Sequence, residues 1–278
     1  MKLRNTLIAA ALSLVPPSGP LLIIGSTSVL TTADLMLSIS KSNAESAEVY
    51  LNKGLEKNKL GIFQESIIDY TKAIEINPQS YDAYFLRGIA KEKIRDFKGA
   101  ITDFNQTIEL IPNHWEAFRR RGLTKHRTGD YEGAIIDFNR AIIINSDYAK
   151  LYFHRATSKL MLNDRESAIQ DYSKVIELDP NSAMHFAARG LVLEELKEYQ
   201  KAINDYSQSI NIEPTNIAFY LSRADLKFKL KNYVGAIEDL SNAIQINPRN
   251  TDSYFNRGLS KQNIDDIKGA CEDWKKAA

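Results

Sequence analysis

A 34-residue period governs the chain from residue 47 onward. The octapeptide YFLRGIAK, Tyr84 to Lys91, returns as FRRRGLTK, YFHRATSK, FAARGLVL, YLSRADLK and YFNRGLSK. Its small residue falls at Gly54, Gly88, Gly122, Ala156, Gly190, Ala224 and Gly258 without one insertion. Spacing this strict implies stacked copies of one supersecondary unit. The units run 47–80, 81–114, 115–148, 149–182, 183–216, 217–250 and a shortened 251–278.

Each unit carries a helical apolar period twice, with a break between. In the unit from Tyr81 to His114, Tyr84 and Gly88 lie on a first helix, Arg95 and Asp96 form the turn, and Ala100, Ile101, Phe104 and Ile108 mark a second. Pro112 follows it, and Pro78, Pro180, Pro214 and Pro248 stand at the same place, with Ser146 as the exception. Ile67, Ile101, Ile135, Ile169, Ile203 and Ile237 make the second helix amphipathic in unit after unit. Two short helices cannot bury that stripe alone, so each pair must stack on its neighbour and share one core.

The pattern of aromatic, Gly or Ala, Ala, aromatic and Pro at unbroken spacing resembles the tetratricopeptide repeat family over residues 47–278. The resemblance implies an all-α fold, a right-handed superhelical solenoid of antiparallel helix pairs whose first helices line a concave groove. It also implies a non-catalytic scaffold that binds a peptide or helix of a partner protein there. Family members that hold chaperone tails do so with a carboxylate clamp, from which this chain departs. Leu51, Phe85 and Phe153 stand at the clamp lysine places, and Leu55 and Ile89 at those of its asparagine.

The residue before each small one is Lys53, Arg87, Arg121, Arg155, Arg189, Arg223 or Arg257, where the family more often has leucine. The second helices answer with Asp69, Asp103, Asp137, Asp171, Asp205, Asp239 and Asp273. A partly buried guanidinium requires an anion and can grip a carboxylate through two bonds, so each arginine is expected to reach an aspartate of its own or an adjoining unit. The lysines one turn later, Lys57, Lys91, Lys125, Lys159, Lys227 and Lys261, are expected to keep their amines in water.

On the resemblance, the groove residues are the variable first-helix places: Asn52, Phe85, Arg119, Arg120, Phe153, His154, Phe255 and Asn256, with Arg127 further along the same helix. FRRRGLTKHR, residues 118–127, makes a basic centre, supplemented by Lys59 and Lys93 and opposed by Glu194 and Glu195. It reads as a docking point for an acidic segment or a chain-terminal carboxylate, with Phe85 and Phe153 as apolar pockets beside it. A solvated charged face is the competing reading.

Other functions find little support. The chain has 278 residues and a formal net charge of +1. Residues 1–43 hold Lys2, Arg4, Lys41 and Asp34, so residues 44–278 carry 33 basic against 34 acidic side chains. A near-neutral body lacks the field that phosphate backbones attract, so no nucleic acid is expected, and an RNA-binding helical repeat is the weaker alternative. Cys271 is the only cysteine, and His114, His126, His154 and His185 lack ligand spacing, so no metal site is expected. His126 and His154 are the pair that neighbouring units could bring face to face. No phosphate-cradling loop or Ser-His-Asp set appears, so neither cofactor nor catalytic residue is assigned.

Two ends depart from the repeat. Lys2 and Arg4 precede the apolar run Leu7 to Val15, and small residues follow at Thr31-Thr32-Ala33 and Ser42-Asn43-Ala44, the pattern of a cleaved export signal. Leu7 to Leu30 is also long enough for an uncleaved anchor, although PPSGP, residues 16–20, interrupts it. In both cases the expected location is exported or membrane-anchored, and the anchored case suggests a membrane-tethered assembly factor; a soluble extension on a cytoplasmic protein is the weaker alternative. At the other end Trp274 stands where a following unit would pack, so it either turns inward or offers an aromatic for self-association.

Overall fold

The structure is a computed structural model that describes residues 32–278. The leader residues 1–31, with the run Leu7 to Val15 and the PPSGP break, lie outside the described residues. Among those described, no helix is long and apolar enough to cross a membrane.

Among the described residues fourteen helices follow one another: α1 Thr32–Lys59, α2 Phe63–Ile76, α3 Tyr81–Lys93, α4 Phe97–Leu110, α5 Trp115–Arg127, α6 Tyr131–Ile144 and α7 Ala149–Met161. The series continues with α8 Arg165–Leu178, α9 Ala183–Glu195, α10 Tyr199–Ile212, α11 Ile217–Lys229, α12 Tyr233–Ile246, α13 Thr251–Gln262 and α14 Ile267–Ala277. Ser46–Ala278 form one compact unit, in which each helix packs on the next. First helices of neighbouring units also touch, α3 with α5 and α5 with α7, while no two second helices make comparable contact. The first helices therefore take the inside of the solenoid.

The turn within each pair repeats to the residue. Gly61, Arg95, Gly129, Asn163, Lys197, Lys231 and Asp265 all adopt positive φ, between 61° and 87°. In the second pair Asp96 N–H donates to Lys91 O at 2.9 Å and Arg95 N–H to Glu92 O at 3.1 Å, which satisfies the free carbonyls at the end of α3. The next residue then starts the second helix: the Asp96 carboxylate accepts from Gly99 N–H at 2.9 Å, as Asp130 does from Gly133 and Asp266 from Gly269. Only two of the seven left-handed positions hold glycine, so five side chains occupy a conformation that costs them energy.

The residues that cap the second helices and directly precede the proline, Asn77, Ile111, Asp179, Glu213 and Asn247, have ψ of 77° to 91°, which suits a residue preceding proline. Asn145 has ψ 86° with Ser146 after it, so packing alone produces the same stop.

The core runs between the two helix layers. A methyl built on Gly88 would lie 2.7 Å from the Phe104 ring, and one on Gly258 would lie 2.4 Å from the Trp274 indole. Glycine is needed there because the ring 16 residues later lies flat against the first helix. Phe104 and Phe138 are fully buried, each worth roughly 2–3 kcal/mol of transfer free energy. Trp274 takes the inward arrangement, and its indole donates to Phe255 O at 3.2 Å.

Candidate functional site

The ladder is internal. Arg87 Nε and Nη2 donate to Asp103 Oδ2 and Oδ1 at 2.9 and 2.7 Å, and Arg121, Arg155, Arg189, Arg223 and Arg257 grip Asp137, Asp171, Asp205, Asp239 and Asp273 in the same two-bond manner. Every partner belongs to the arginine's own unit. The aspartates are buried, and aromatic rings at Tyr84, Phe118, Tyr152, Tyr220 and Tyr254 lie 5.4 to 6.0 Å from the guanidinium carbons.

The remaining nitrogen of each guanidinium crosses to the preceding unit. Arg87 Nη1 donates to Thr71 Oγ1 at 3.0 Å, Arg121 to Asn105 Oδ1 at 2.6 Å and Arg223 to Ser207 Oγ at 2.8 Å. One side chain thus joins three helices, and the position is a staple between units as well as within them.

Two expectations about this ladder need correction. The lysines do not keep their amines in water: Lys57, Lys91, Lys125, Lys159, Lys227 and Lys261 place Nζ 2.7 to 3.0 Å from the same aspartates. The buried carboxylate has capacity beyond the two bonds of one guanidinium and draws in a second cation. The first unit lacks an arginine rung. There Lys57 alone holds Asp69, while the Lys53 amine sits 5.3 Å from the Tyr50 ring.

The residues predicted for the groove fall into three groups. Arg119, Arg120 and Arg127 on α5 converge with two carboxylates. Glu92 accepts from Arg120 Nη1 at 3.3 Å, Arg127 Nη1 at 3.4 Å and Thr124 Oγ1 at 2.7 Å, while Glu116 accepts from Arg119 Nη2 at 2.8 Å. Three guanidiniums meet two acids here, and the buried Nε atoms of Arg119 and Arg120 have no acceptor. Sequence reasoning missed Glu92. The signal available was an acid at a first-helix place that holds Asn58, His126, Leu160, Phe228 and Gln262 in other units and is acidic again at Glu194.

Phe85, Phe153 and His154 are half-buried rather than open. Phe85 packs 4.8 Å from the His114 ring and 5.9 Å from Phe104, and Phe153 lies 5.6 Å from Tyr172. His154 stacks on Phe138 at 5.9 Å, and burial, with the charge of Arg119 beside it, pushes its imidazole down to about 4. His126 bonds Ser158 Oγ at 2.9 Å instead of meeting His154 directly.

Asn52, Phe255 and Asn256 are exposed. Asn256 borders a cavity of about 180 Å³ between α11 and α13, walled by Leu221, Phe228, Leu240 and Leu259 with Asp225 at its edge. Leu240 is the one member of its row without an aromatic ring, and the missing ring leaves that space open. Glu194 and Asp225 share the ammonium of Lys229 at 2.9 and 2.6 Å, and Glu195 accepts from Arg165 at 2.7 Å. Among the described residues no group of His, Cys, Asp or Glu side chains is arranged to hold a metal ion.

Models of the tetratricopeptide repeat match residues 47–80, 85–149 and 153–215, and a model of the TPR repeat matches 224–264. No protein of curated function matches the chain. Among solved structures, the C-terminal part of a TPR repeat-containing protein from Cytophaga hutchinsonii has 16% identity and a TM-score of 0.73, covering 82% of this chain and 93% of that one. MamA from Desulfovibrio magneticus has 19% identity and a TM-score of 0.58, covering 62% of this chain and 97% of that one. YrrB, described as a TPR protein with an unusual peptide-binding site, has 19% identity and a TM-score of 0.57, covering 66% of this chain and 95% of that one. At these identities the likeness is one of fold.

Proposed function

We propose that this chain, which belongs to the tetratricopeptide repeat family, is a non-catalytic scaffold that holds a segment of a partner protein along its first-helix face. The observation that carries this reading is the unbalanced cluster on α5. Arg119 and Arg120 keep buried Nε donors without acceptors, against a general rule that buried donors are paired. Three guanidiniums share two carboxylates there, so a carboxylate from a partner, reaching the open sides of Arg120 and Arg127, supplies the missing charge and the segment that docks is acidic. Its apolar side chains enter the space between α11 and α13, which at about 180 Å³ is too small for a drug-sized ligand and suits a side chain.

The test is capture of a partner by the folded repeats and by an Arg119→Ala/Arg120→Ala/Phe153→Ala variant. The expected result is a protein held by the first and lost by the second, with the loss reproduced by Arg119→Ala/Arg120→Ala alone. Undiminished capture by the variants sinks the acidic-segment reading, and failure to hold any protein through the groove sinks the scaffold reading.

The charged start and the apolar run Leu7 to Val15 support placing the repeats across a membrane, exported or tethered. Mass spectrometry of the mature N-terminus separates the two: loss of the leader means export, and retention in the membrane fraction means a tethered assembly factor.

A further inference from the structure

The ladder contains its own comparison. In units one to four, six and seven a lysine ammonium fills one fixed spot, 2.7 to 3.0 Å from an aspartate Oδ2. In four of these the same ammonium also reaches a backbone carbonyl of the second helix: Gly133 O at 3.4 Å, Ser167 O at 3.3 Å, Gly235 O at 3.3 Å and Gly269 O at 3.5 Å. The fifth unit has Leu193 at the lysine position. Leu193 turns into the core against Ala202, Tyr206 and Leu226, and its isobutyl group brings no charge to the spot.

What remains there is a cavity of about 370 Å³ whose wall includes Asp205, Arg189, Lys201, Glu198, Ser173 and Ile169. Asp205 is 4% exposed and accepts from Arg189 Nε and Nη2 at 2.8 and 2.7 Å, the same two bonds that its counterparts make before the lysine is added. Lys201 occupies the position whose carbonyl accepts from the lysine in the other units. The carboxylate that holds an ammonium in six units, and the backbone carbonyl that joins it in four of them, are therefore present in the fifth unit, and the ammonium donor is not.

We infer that this cavity binds a primary ammonium group, taken from a ligand or from the lysine side chain of a partner, with its nitrogen between Asp205 and the Lys201 carbonyl. The alkyl portion lies along Ile169 and Leu193. Glu198, at the rim and paired with Lys201, is placed for a second cationic group and favours a diamine over a monoamine. The volume lies within the range of small-ligand sites, unlike the narrower space between α11 and α13. The site is separate from the first-helix face, and its occupancy does not depend on the scaffold function.

The experiment follows backbone amide signals of the full chain during titration with n-butylammonium, cadaverine and acetyl-lysinamide. Tetramethylammonium, which carries the same charge without an N–H donor, is the control. Lys201 and Asp205 are expected to shift, while Ser167 and Asp171, whose site Lys159 already fills, stay still. The tighter of cadaverine and acetyl-lysinamide assigns the source. Leu193→Lys is expected to raise the melting temperature and abolish the shifts. Equal shifts with tetramethylammonium, or shifts absent or spread evenly over units four and five, overturn the inference. This comparison uses the unmodified chain and holds even if Leu193→Lys fails to fold.

Discussion

Arg223 holds both oxygens of Asp239, with Nε to Oδ2 at 3.0 Å and Nη2 to Oδ1 at 2.6 Å, and Lys227 reaches Oδ2 of the same carboxylate at 2.8 Å. Asp239 is fully buried, and its burial penalty is offset only while those cations are present. Arg223→Ala is expected to cost on the order of 3–5 kcal/mol, the range for breaking a buried pair, reduced by the lysine that remains. Urea unfolding against Arg249→Ala, an exposed arginine, measures it. Equal losses for the two would show that the pair contributes no more than a surface charge.

The third bond of the same guanidinium predicts coupling between units. Ser207→Ala removes the acceptor at 2.8 Å from Arg223 Nη1 and is expected to cost about 1 kcal/mol. A double-mutant cycle with Arg223→Lys isolates the interunit share. Strict additivity would mean that the staple acts only within a unit.

The left-handed turns offer a gain. Lys231 is exposed at φ 61°, where glycine carries no side-chain penalty. Lys231→Gly is expected to raise stability by about 1 kcal/mol, and Gly129→Lys, at φ 87°, to lower it by a similar amount. Thermal melts of the two variants should move in opposite directions.

His154 is held neutral by burial first and by Arg119 second, so its imidazole titrates at about 4 instead of near the unfolded value of about 6.5. Between those values the unfolded chain binds the extra proton. The contribution of this residue is therefore complete above about 6.5 and declines as pH falls toward 4. Proton NMR of the imidazole gives the midpoint directly, and His154→Gln should flatten the stability profile in that window.

Asp273 works the other way. Burial opposes its charge, yet hydrogen bonds from Arg257 and Lys261 prevail and hold its carboxyl below the ordinary range. Its stabilisation is present above the ordinary aspartate value of about 4 and is lost as pH falls through the lowered one. Trp274 fluorescence should report loosening of α14 there. Asp273→Asn should already be destabilised at pH 6, with its deficit shrinking in acid.

Much of this architecture was legible because it is periodic. Repeating Ile67 and its equivalents announced the second helices, and the joint recurrence of Arg87 and Asp103 along the chain announced their pairing. Glu92 was not legible as a partner of Arg120 and Arg127, since 28 and 35 residues separate them and the pattern recurs just once, as Lys229 with Glu194. Phe85 and Phe153 looked open in sequence because nothing there shows that His114 and Tyr172 cover them.

The sequence by itself determined the unit length, the two helices per unit, the small residue facing a ring, and the need of a buried cation for an anion. Only the stacked structure decided that each arginine takes the aspartate of its own unit, spends its last donor on the unit before, and shares its carboxylate with a lysine. The physical reason is that periodicity specifies distances along the chain, whereas partnership depends on how one helix pair is rotated against the next. That rotation emerges from packing the whole core at once.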